Sequence, residues 1–233
     1  MASFVLVHGA WHGAWCWRRV ASLLSRDGHD VFTPTLTGLA ERSHLLSPAI
    51  NLDTHILDVV NEMKWRELNE VVLVGHSYGG MVVSGVAETM ENAISSLVML
   101  DAFMPENGQS LVDIQPPAVR EPILAAERRG ATTLPPLSAE WFRVNEKDRA
   151  WVDAQCTPQP LQCFLQKLTL TGARERIAKK TYIRATAYPS PYFDAGLASA
   201  RAKNNWRIHE VPCGHDLMLD MPERLTEILL DAA

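Results

Sequence analysis

Ser77 stands in Gly75-His76-Ser77-Tyr78-Gly79, a G-x-S-x-G pentapeptide between a β-branched run, Val71–Val74, and an apolar segment, Met81–Ala87. A serine hydroxyl is a weak nucleophile until it is held in place and exposed to a base. A sharp strand-to-helix turn does both, and glycine two residues to either side removes side chains that would collide in so tight a bend. The start of the following helix aims free N–H groups and a positive dipole end at the same spot, where an oxyanion would be stabilised. His215, in Val211-Pro212-Cys213-Gly214-His215-Asp216, follows the last predicted strand and precedes the last helix, so it falls at the same sheet edge as Ser77. Nucleophile and base in this arrangement point to acyl transfer. The other histidines are weaker candidates. His76 should point into packing, His8 and His12 lie in the first loop where either could line a pocket, and His29, His44, His55 and His209 read as surface or satisfied polar residues.

The elements that must position these groups alternate between short β-rich runs and helical patterns, as in a parallel sheet covered on both faces. Strands are predicted at Phe4–Val7, Asp30–Thr33, Val71–Val74, Leu97–Leu100, Tyr182–Thr186 and Arg207–Val211. The first helix carries Trp17, Val20, Leu23 and Leu24 on one face and stops at Gly28. The second carries Ile56, Val59, Val60 and Met63 at helical spacing behind a cap at Asp53 or Thr54. The last begins near Asp220-Met221-Pro222-Glu223, where the Asp/Glu spacing is that of a capping box.

Sequential right-handed winding gives the strand order 2-1-3-4-5-6, by analogy with doubly wound sheets, with reversal between strands 1 and 3. Their C-terminal loops then face one crevice, and the backbone N–H groups of Ala10 and Tyr78 converge as an oxyanion hole. Between Pro105 and about Lys179 the alternation lapses. Pro116-Pro117 and Pro135-Pro136 are followed by helical patches at Trp141–Gln155 and Leu161–Leu168. So long a stretch is not a bare loop inside a compact domain. The expected organisation is therefore an α/β core, a mostly parallel doubly wound sheet built from residues 1–104 and 180–233, with an inserted helical cap at 105–179.

Composition bounds the partners. The chain has 233 residues, 47% of them hydrophobic, with Lys+Arg at 22 against Asp+Glu at 27 and a net charge of -5. No basic stripe is present for nucleic acid and no polybasic segment for a membrane surface. No apolar run has the length of a membrane span, and no secretion signal is recognised at the N-terminus. The four cysteines form no CxxC pair and no HxH or HExxH spacing occurs, so free thiols, no metal and a cytoplasmic location are expected.

Taken together, Leu6-Val7-His8-Gly9-Ala10-Trp11-His12-Gly13-Ala14-Trp15, Val74-Gly75-His76-Ser77-Tyr78-Gly79-Gly80, Leu100-Asp101-Ala102-Phe103-Met104-Pro105 and Gly214-His215 resemble the plant methylesterase/hydroxynitrile lyase branch of the α/β-hydrolases and its bacterial esterase relatives. The resemblance spans the core at both ends and fades in the cap. It implies cofactor-independent hydrolysis of small, mostly apolar esters through an acyl-enzyme by a monomer or homodimer, and some bacterial relatives act on pyrethroid or carbamate agrochemicals. The lyases of that branch carry Thr where Gly9 stands and Lys where Asp216 stands; the missing lysine argues for hydrolysis. Haloalkane dehalogenases and epoxide hydrolases use an aspartate nucleophile where this chain has Ser77.

One departure from the branch concerns the triad acid, which it places just after the fifth strand. That position falls at Ala187, in Thr186-Ala187-Tyr188-Pro189, where no carboxylate stands. An acid is needed to fix the tautomer of the imidazole and to stabilise the imidazolium. Asp101 is the preferred candidate because it ends the strand beside the nucleophile strand. Asp194, one short loop after the fifth strand, is the alternative, and Glu210 should face solvent. A non-hydrolytic ligand receptor on the same fold remains an alternative function while the usual acid position is vacant. Trp11, Trp141 and Met218 are candidate pocket residues, with Phe142, Trp151 and Phe164 as further cap aromatics that could equally be cap core.

Overall fold

Runs such as Val71-Val72-Leu73-Val74 and Phe4-Val5-Leu6-Val7 are apolar at every position, so they are stable only where both faces are covered. The computed structural model, which describes residues 1–233, pairs them in that way. Strands β1 (Ser3–Val7), β2 (Asp30–Phe32), β3 (Val71–His76), β4 (Ile94–Leu100), β5 (Lys179–Ala185) and β6 (Arg207–Val211) form one sheet in the order β2-β1-β3-β4-β5-β6. Every neighbouring pair is parallel. The expected order is thus the observed one, and the winding reverses between β1 and β3.

Helices α1 (Arg18–Arg26), α2 (Leu52–Trp65) and α3 (Gly79–Met90) follow the first three strands. Residues Gly79–Ala87 of α3 are buried without interruption, as an all-round apolar helix must be. Later in the chain come α4 (Pro117–Arg128), α5 (Glu146–Gln155), α6 (Pro191–Ala202) and α7 (Pro222–Ala232). Helix α1 packs beside α7, and α2 beside α3, as two separate pairs.

Two caps differ from expectation. Helix α2 is capped by Asn51, whose Oδ1 accepts from Thr54 N at 3.0 Å while Thr54 Oγ1 accepts from Asn51 N at 3.3 Å. Thr54 is therefore the third residue of a capping box, and Asp53 lies inside the helix. At α7 no box forms between Asp220 and Glu223, since Asp220 Oδ1 instead accepts from the backbone N (3.0 Å) and Nδ2 (2.7 Å) of Asn145.

Because β5 lies against β4, the chain leaves the sheet at Leu100 and returns to it at Lys179. The intervening residues hold α4, α5, a short antiparallel pairing of Thr133–Leu134 with Gln159–Pro160, and one-turn helices. The helical patch expected from Trp141 starts only at Glu146, because Arg143 adopts a left-handed φ of 56° that no helix continues through. The patch expected at Leu161–Leu168 is reduced to Gln162–Leu165, ending where Gln166 turns extended.

Candidate active site

At the β3–α3 junction Ser77 takes a φ of 54°, a conformation costing a residue with a Cβ on the order of 1–3 kcal/mol. The surrounding contacts hold it there. Ser77 N donates to Leu100 O (3.2 Å), and Ser77 O accepts from Phe103 N (3.1 Å) and Gly80 N (3.0 Å), which ties the bend to the end of β4. The glycines are required by close approach: a Cβ on Gly79 would stand 2.8 Å from Val7 O, and one on Gly80 2.2 Å from Phe103 O. Ser77 is half-buried and opens onto a cavity of about 430 Å³.

His215 opens onto the same cavity from the loop after β6. Its backbone N donates to Phe142 O (2.9 Å), and its ring stacks on Phe193 with centroids 5.1 Å apart. The segment between β4 and β5 presses directly on this loop, since a Cβ on Gly214 would lie 2.1 Å from Arg143 O. Nδ1 of His215 donates to Asp101 Oδ2 at 2.6 Å. That bond fixes the tautomer and leaves Nε2 as the nitrogen free to act as a base. The hydroxyl of Ser77 makes no hydrogen bond to His215, a contact that in serine hydrolases commonly tightens only with substrate.

Asp101 is fully buried just past β4, with its own φ at 41° and its N donating to Ile183 O (2.7 Å). Its Oδ1 accepts from Arg184 Nη1 (2.8 Å) and from Ala185 N (3.1 Å). The runner-up acid, Asp194, has a side chain 63% exposed and meets Arg184 Nε at 2.9 Å, not His215. Glu210 is exposed and pairs with Arg201. At the vacant acid position, Ala187 N donates to Cys213 O (3.1 Å) and its carbonyl accepts from Arg143 Nη1 (2.7 Å). Arg184 escaped the sequence reading, although a charged residue inside the apolar run Tyr182-Ile183-Arg184-Ala185 is the signal of a buried ion pair.

Ala10 and Tyr78 both line the cavity beside Ser77, and neither backbone amide donates to a protein acceptor. The loop carrying Ala10 is tightly specified. His8 Nδ1 donates to Gly9 O (2.8 Å) while its Nε2 accepts from Leu36 N (3.1 Å), a pattern that only the neutral ring satisfies. Burial drives its pKa down to about 3, in agreement. Trp11, at a φ of 65°, donates from N to Gln159 Oε1 (3.0 Å) and from Nε1 to Leu134 O (3.2 Å), which joins this loop to the inserted segment.

Of the expected pocket residues, Trp11 and Trp141 line the cavity, along with Phe142 and Phe164. Met218 does not. It sits in a one-turn helix, Leu217–Asp220, and is fully buried in the core. Trp151 packs edge-on against Trp15 (5.1 Å) and is likewise absent from the lining. His8 and His12 are buried behind the loop and do not line the cavity. His76 is buried as expected, its ring 4.5 Å from that of His215. His76, His215 and Asp216 bring three potential metal-donor atoms within 4.8 Å of one another. The bonds of these groups use one atom each, His215 Nδ1 with Asp101, His76 Nε2 with His215 O and Asp216 Oδ2 with His12, while His76 Nδ1 and Asp216 Oδ1 are buried without a hydrogen-bond partner.

No helix is long and apolar enough to cross a membrane. The profile of a family described as "Alpha/beta hydrolase family" matches residues 4–228. The "Carbendazim hydrolyzing esterase" of Nocardioides sp. (strain SG-4G) is 43% identical, covering 98% of both chains. The "Putative methylesterase 11, chloroplastic" of Arabidopsis thaliana is 27% identical over 99% of this chain and 63% of its own length. Among solved structures, an extracellular alpha/beta-hydrolase from a Paenibacillus species superposes with a TM-score of 0.85 at 25% identity, covering 100% of this chain and 99% of that one.

Proposed function

The chain belongs to the alpha/beta hydrolase family, and from that premise we propose that it is a serine carboxylesterase acting on small, largely hydrophobic esters through an acyl-enzyme intermediate. The observation that carries this reading is that Ser77 and His215 open onto one apolar cavity while Asp101 stands 2.6 Å behind the imidazole. Ser77 Oγ attacks the ester carbonyl as His215 Nε2 takes its proton. The amides of Ala10 and Tyr78 receive the developing oxyanion, and His215 then returns the proton to the departing alcohol. Water attacks the acyl-enzyme by the same route in reverse. Asp101 orients the ring and stabilises its charged form; Arg184 and the Ala185 amide hold that carboxylate still.

Residues 105–179 act as a cap that completes the cavity, with Trp141, Phe142 and Phe164 giving it an apolar wall. Such a wall suits esters with aromatic or branched groups. Xenobiotic esters, carbamates and pyrethroids among them, are the proposed substrates, a choice supported by the similarity to the carbendazim-hydrolysing relative. Asp101 at His215 also removes the motive for a receptor without turnover, and the buried Asp216 speaks against a lyase that needs a cation there.

Labelling with a fluorophosphonate tests the proposal. Intact mass should rise by one adduct, Ser77→Ala should abolish it, and a panel of p-nitrophenyl and aryl esters should be turned over with a burst. Labelling that survives Ser77→Ala, or the absence of ester turnover, overturns it.

A further inference from the structure

Two groups close to the site play no part in the chemistry above. His12 and Asp216 are both buried, at 1% and 0% exposure, and lie 204 residues apart in sequence. His12 Nδ1 stands 2.7 Å from Ala10 O, and Nε2 stands 3.1 Å from Asp216 Oδ2. A carbonyl only accepts and so does an ionised carboxylate, so with Asp216 ionised both ring nitrogens donate and His12 is an imidazolium. Its ring stacks on Trp15, with centroids 5.0 Å apart, which holds its plane.

Each end of this bridge reaches a functional segment. Ala10 supplies the oxyanion-side amide of the proposed site, and Asp216 directly follows His215. A third link braces the far end: His76 Nε2 donates to His215 O (3.1 Å) and lies 3.7 Å from Asp216 Oδ1. We propose that His12 and Asp216 are a positioning pair, a buried charged bridge that sets the Ala10 amide against the loop bearing His215. This rests on the esterase reading, since it gives Ala10 and His215 their roles.

The bridge depends on one proton. Burial opposes charging His12, but the charge and hydrogen bond of Asp216 outweigh it and raise its pKa above 6.5. On the Asp216 side, burial favours the neutral acid, yet His12 holds the carboxyl well below its usual range. The other groups facing the pair are His76 and His8 on the histidine side and His215, Cys16, Cys156 and Cys213 near the carboxylate. Burial keeps His8 and His76 neutral. It also pushes Cys156 and Cys213 up to about 12 and raises Cys16 well above the usual thiol range, so none of these thiols titrates in the working window. A raised histidine pKa means the link is complete below about 6.5 and is lost as pH climbs through the folded value. Activity then falls on the alkaline side through kcat more than through KM, because the Ala10 amide meets the developing oxyanion and not the ground-state ester.

The deciding variant is Asp216→Asn, which keeps shape and an acceptor but removes the anion, leaving burial to deprotonate His12. With rates corrected for spontaneous hydrolysis from about pH 6 to about pH 9.5, the alkaline limb of kcat should move down by about one unit or more. At neutral pH kcat should fall about tenfold, with KM within about twofold, since the lost alignment weakens one oxyanion donor. A folded Asp216→Asn protein with the wild-type limb and kcat overturns the pair. Fluorophosphonate labelling separates the failures. If the wild type does not label, the esterase reading falls; if it labels and the limb stays, only the pair falls. Should Asp216→Asn not fold, ¹⁵N-histidine NMR decides. A ring protonated at both nitrogens must persist in the wild type and in His215→Ala at a pH where a free histidine is already mostly neutral, and its absence overturns the pair.

Discussion

Nδ1 of His215 donates to Asp101 Oδ2 across 2.6 Å, and the other oxygen of that carboxylate is closed off by Arg184 Nη1 at 2.8 Å and the Ala185 amide at 3.1 Å. Three donors converge on a fully buried anion, so it is free neither to rotate nor to pair with a different side chain.

Asp101→Asn keeps the size but must turn an NH₂ toward either His215 or Arg184, each of which is itself a donor. With the tautomer lost, kcat should fall about a thousandfold to ten-thousandfold with little change in KM. Asp194→Asn should stay within about threefold of wild type, because that side chain is 63% exposed and meets only Arg184. Steady-state kinetics on one activated ester compares the two. A dead Asp194→Asn beside a working Asp101→Asn would reassign the acid.

A lyase-like Gly9→Thr/Asp216→Lys protein should neither be stable nor release cyanide. A Cβ at Gly9 already comes within 3.0 Å of His76 Nδ1 and of Ser77 Cβ. Lysine at 216 would bury an ammonium against His12 after removing that residue's only anionic partner. Breaking a buried pair in this way costs about 3–5 kcal/mol. For a chain of this size that is a fall in Tm of about 6–20 °C. Thermal melts and cleavage of an aromatic cyanohydrin measure the two halves. A stable variant that liberates cyanide would show that position 216 tolerates a cation and that hydrolysis is not built into this site.

How legible each part was in the sequence depended on the range of its signal. The Ser77 turn was readable because strand, glycines and helix are contiguous, and the strand order because each run alternates with a helix. His215 was placed by the same logic at the other end of the chain. Asp101 needed one further step, the adjacency of β4 to β3, since its bond to His215 spans 114 residues. Arg184 and the His12–Asp216 bridge were not found, because a buried ion pair leaves no local pattern and neither partner announces the other. The left-handed φ of Arg143, which delays α5, has no glycine to mark it. Met218, an apolar residue three positions past His215, suits core and pocket equally in sequence, and the short helix it occupies turns it inward.

Arg19 ties α1 to the segment between β4 and β5. Its Nη1 and Nη2 meet the two carboxylate oxygens of Asp148, each at 2.7 Å, linking α1 to α5, and Nη1 also donates to Leu219 O. The hydrogen bonds from Arg19, with one from Asn145, outweigh partial burial and lower the pKa of Asp148 to about 2. A depressed carboxylate stabilises the fold above about pH 3.8 and loses that contribution as pH falls toward about 2. Arg19→Ala should cost about 1–2 kcal/mol at neutral pH, the lower part of the range for charged bonds because the guanidinium is partly exposed, or about 2–8 °C in Tm. Melts at about pH 7 and about pH 3 check it: the gap between variant and wild type should narrow at the lower value. A gap that stays constant would mean the loss is one of packing, not charge.

Val119, Ile123 and Ala126 recur at helical spacing along α4 and all line the cavity, so one face of that helix forms part of its wall. Ala126 is the smallest of the three and is 9% exposed, which leaves room for a larger group to grow inward. Ala126→Phe should take up space that a bulky aryl ester needs while leaving Ser77, His215 and Asp101 untouched. The expected result is a fall of about tenfold to a hundredfold in kcat/KM for such esters, with p-nitrophenyl acetate within about twofold. That split is diagnostic of an occluded wall, because damage to the chemical machinery lowers both substrates together. Equal losses would mean that the phenyl ring displaces α4 and disturbs more than the wall, and no loss for either would remove α4 from the wall that substrate meets.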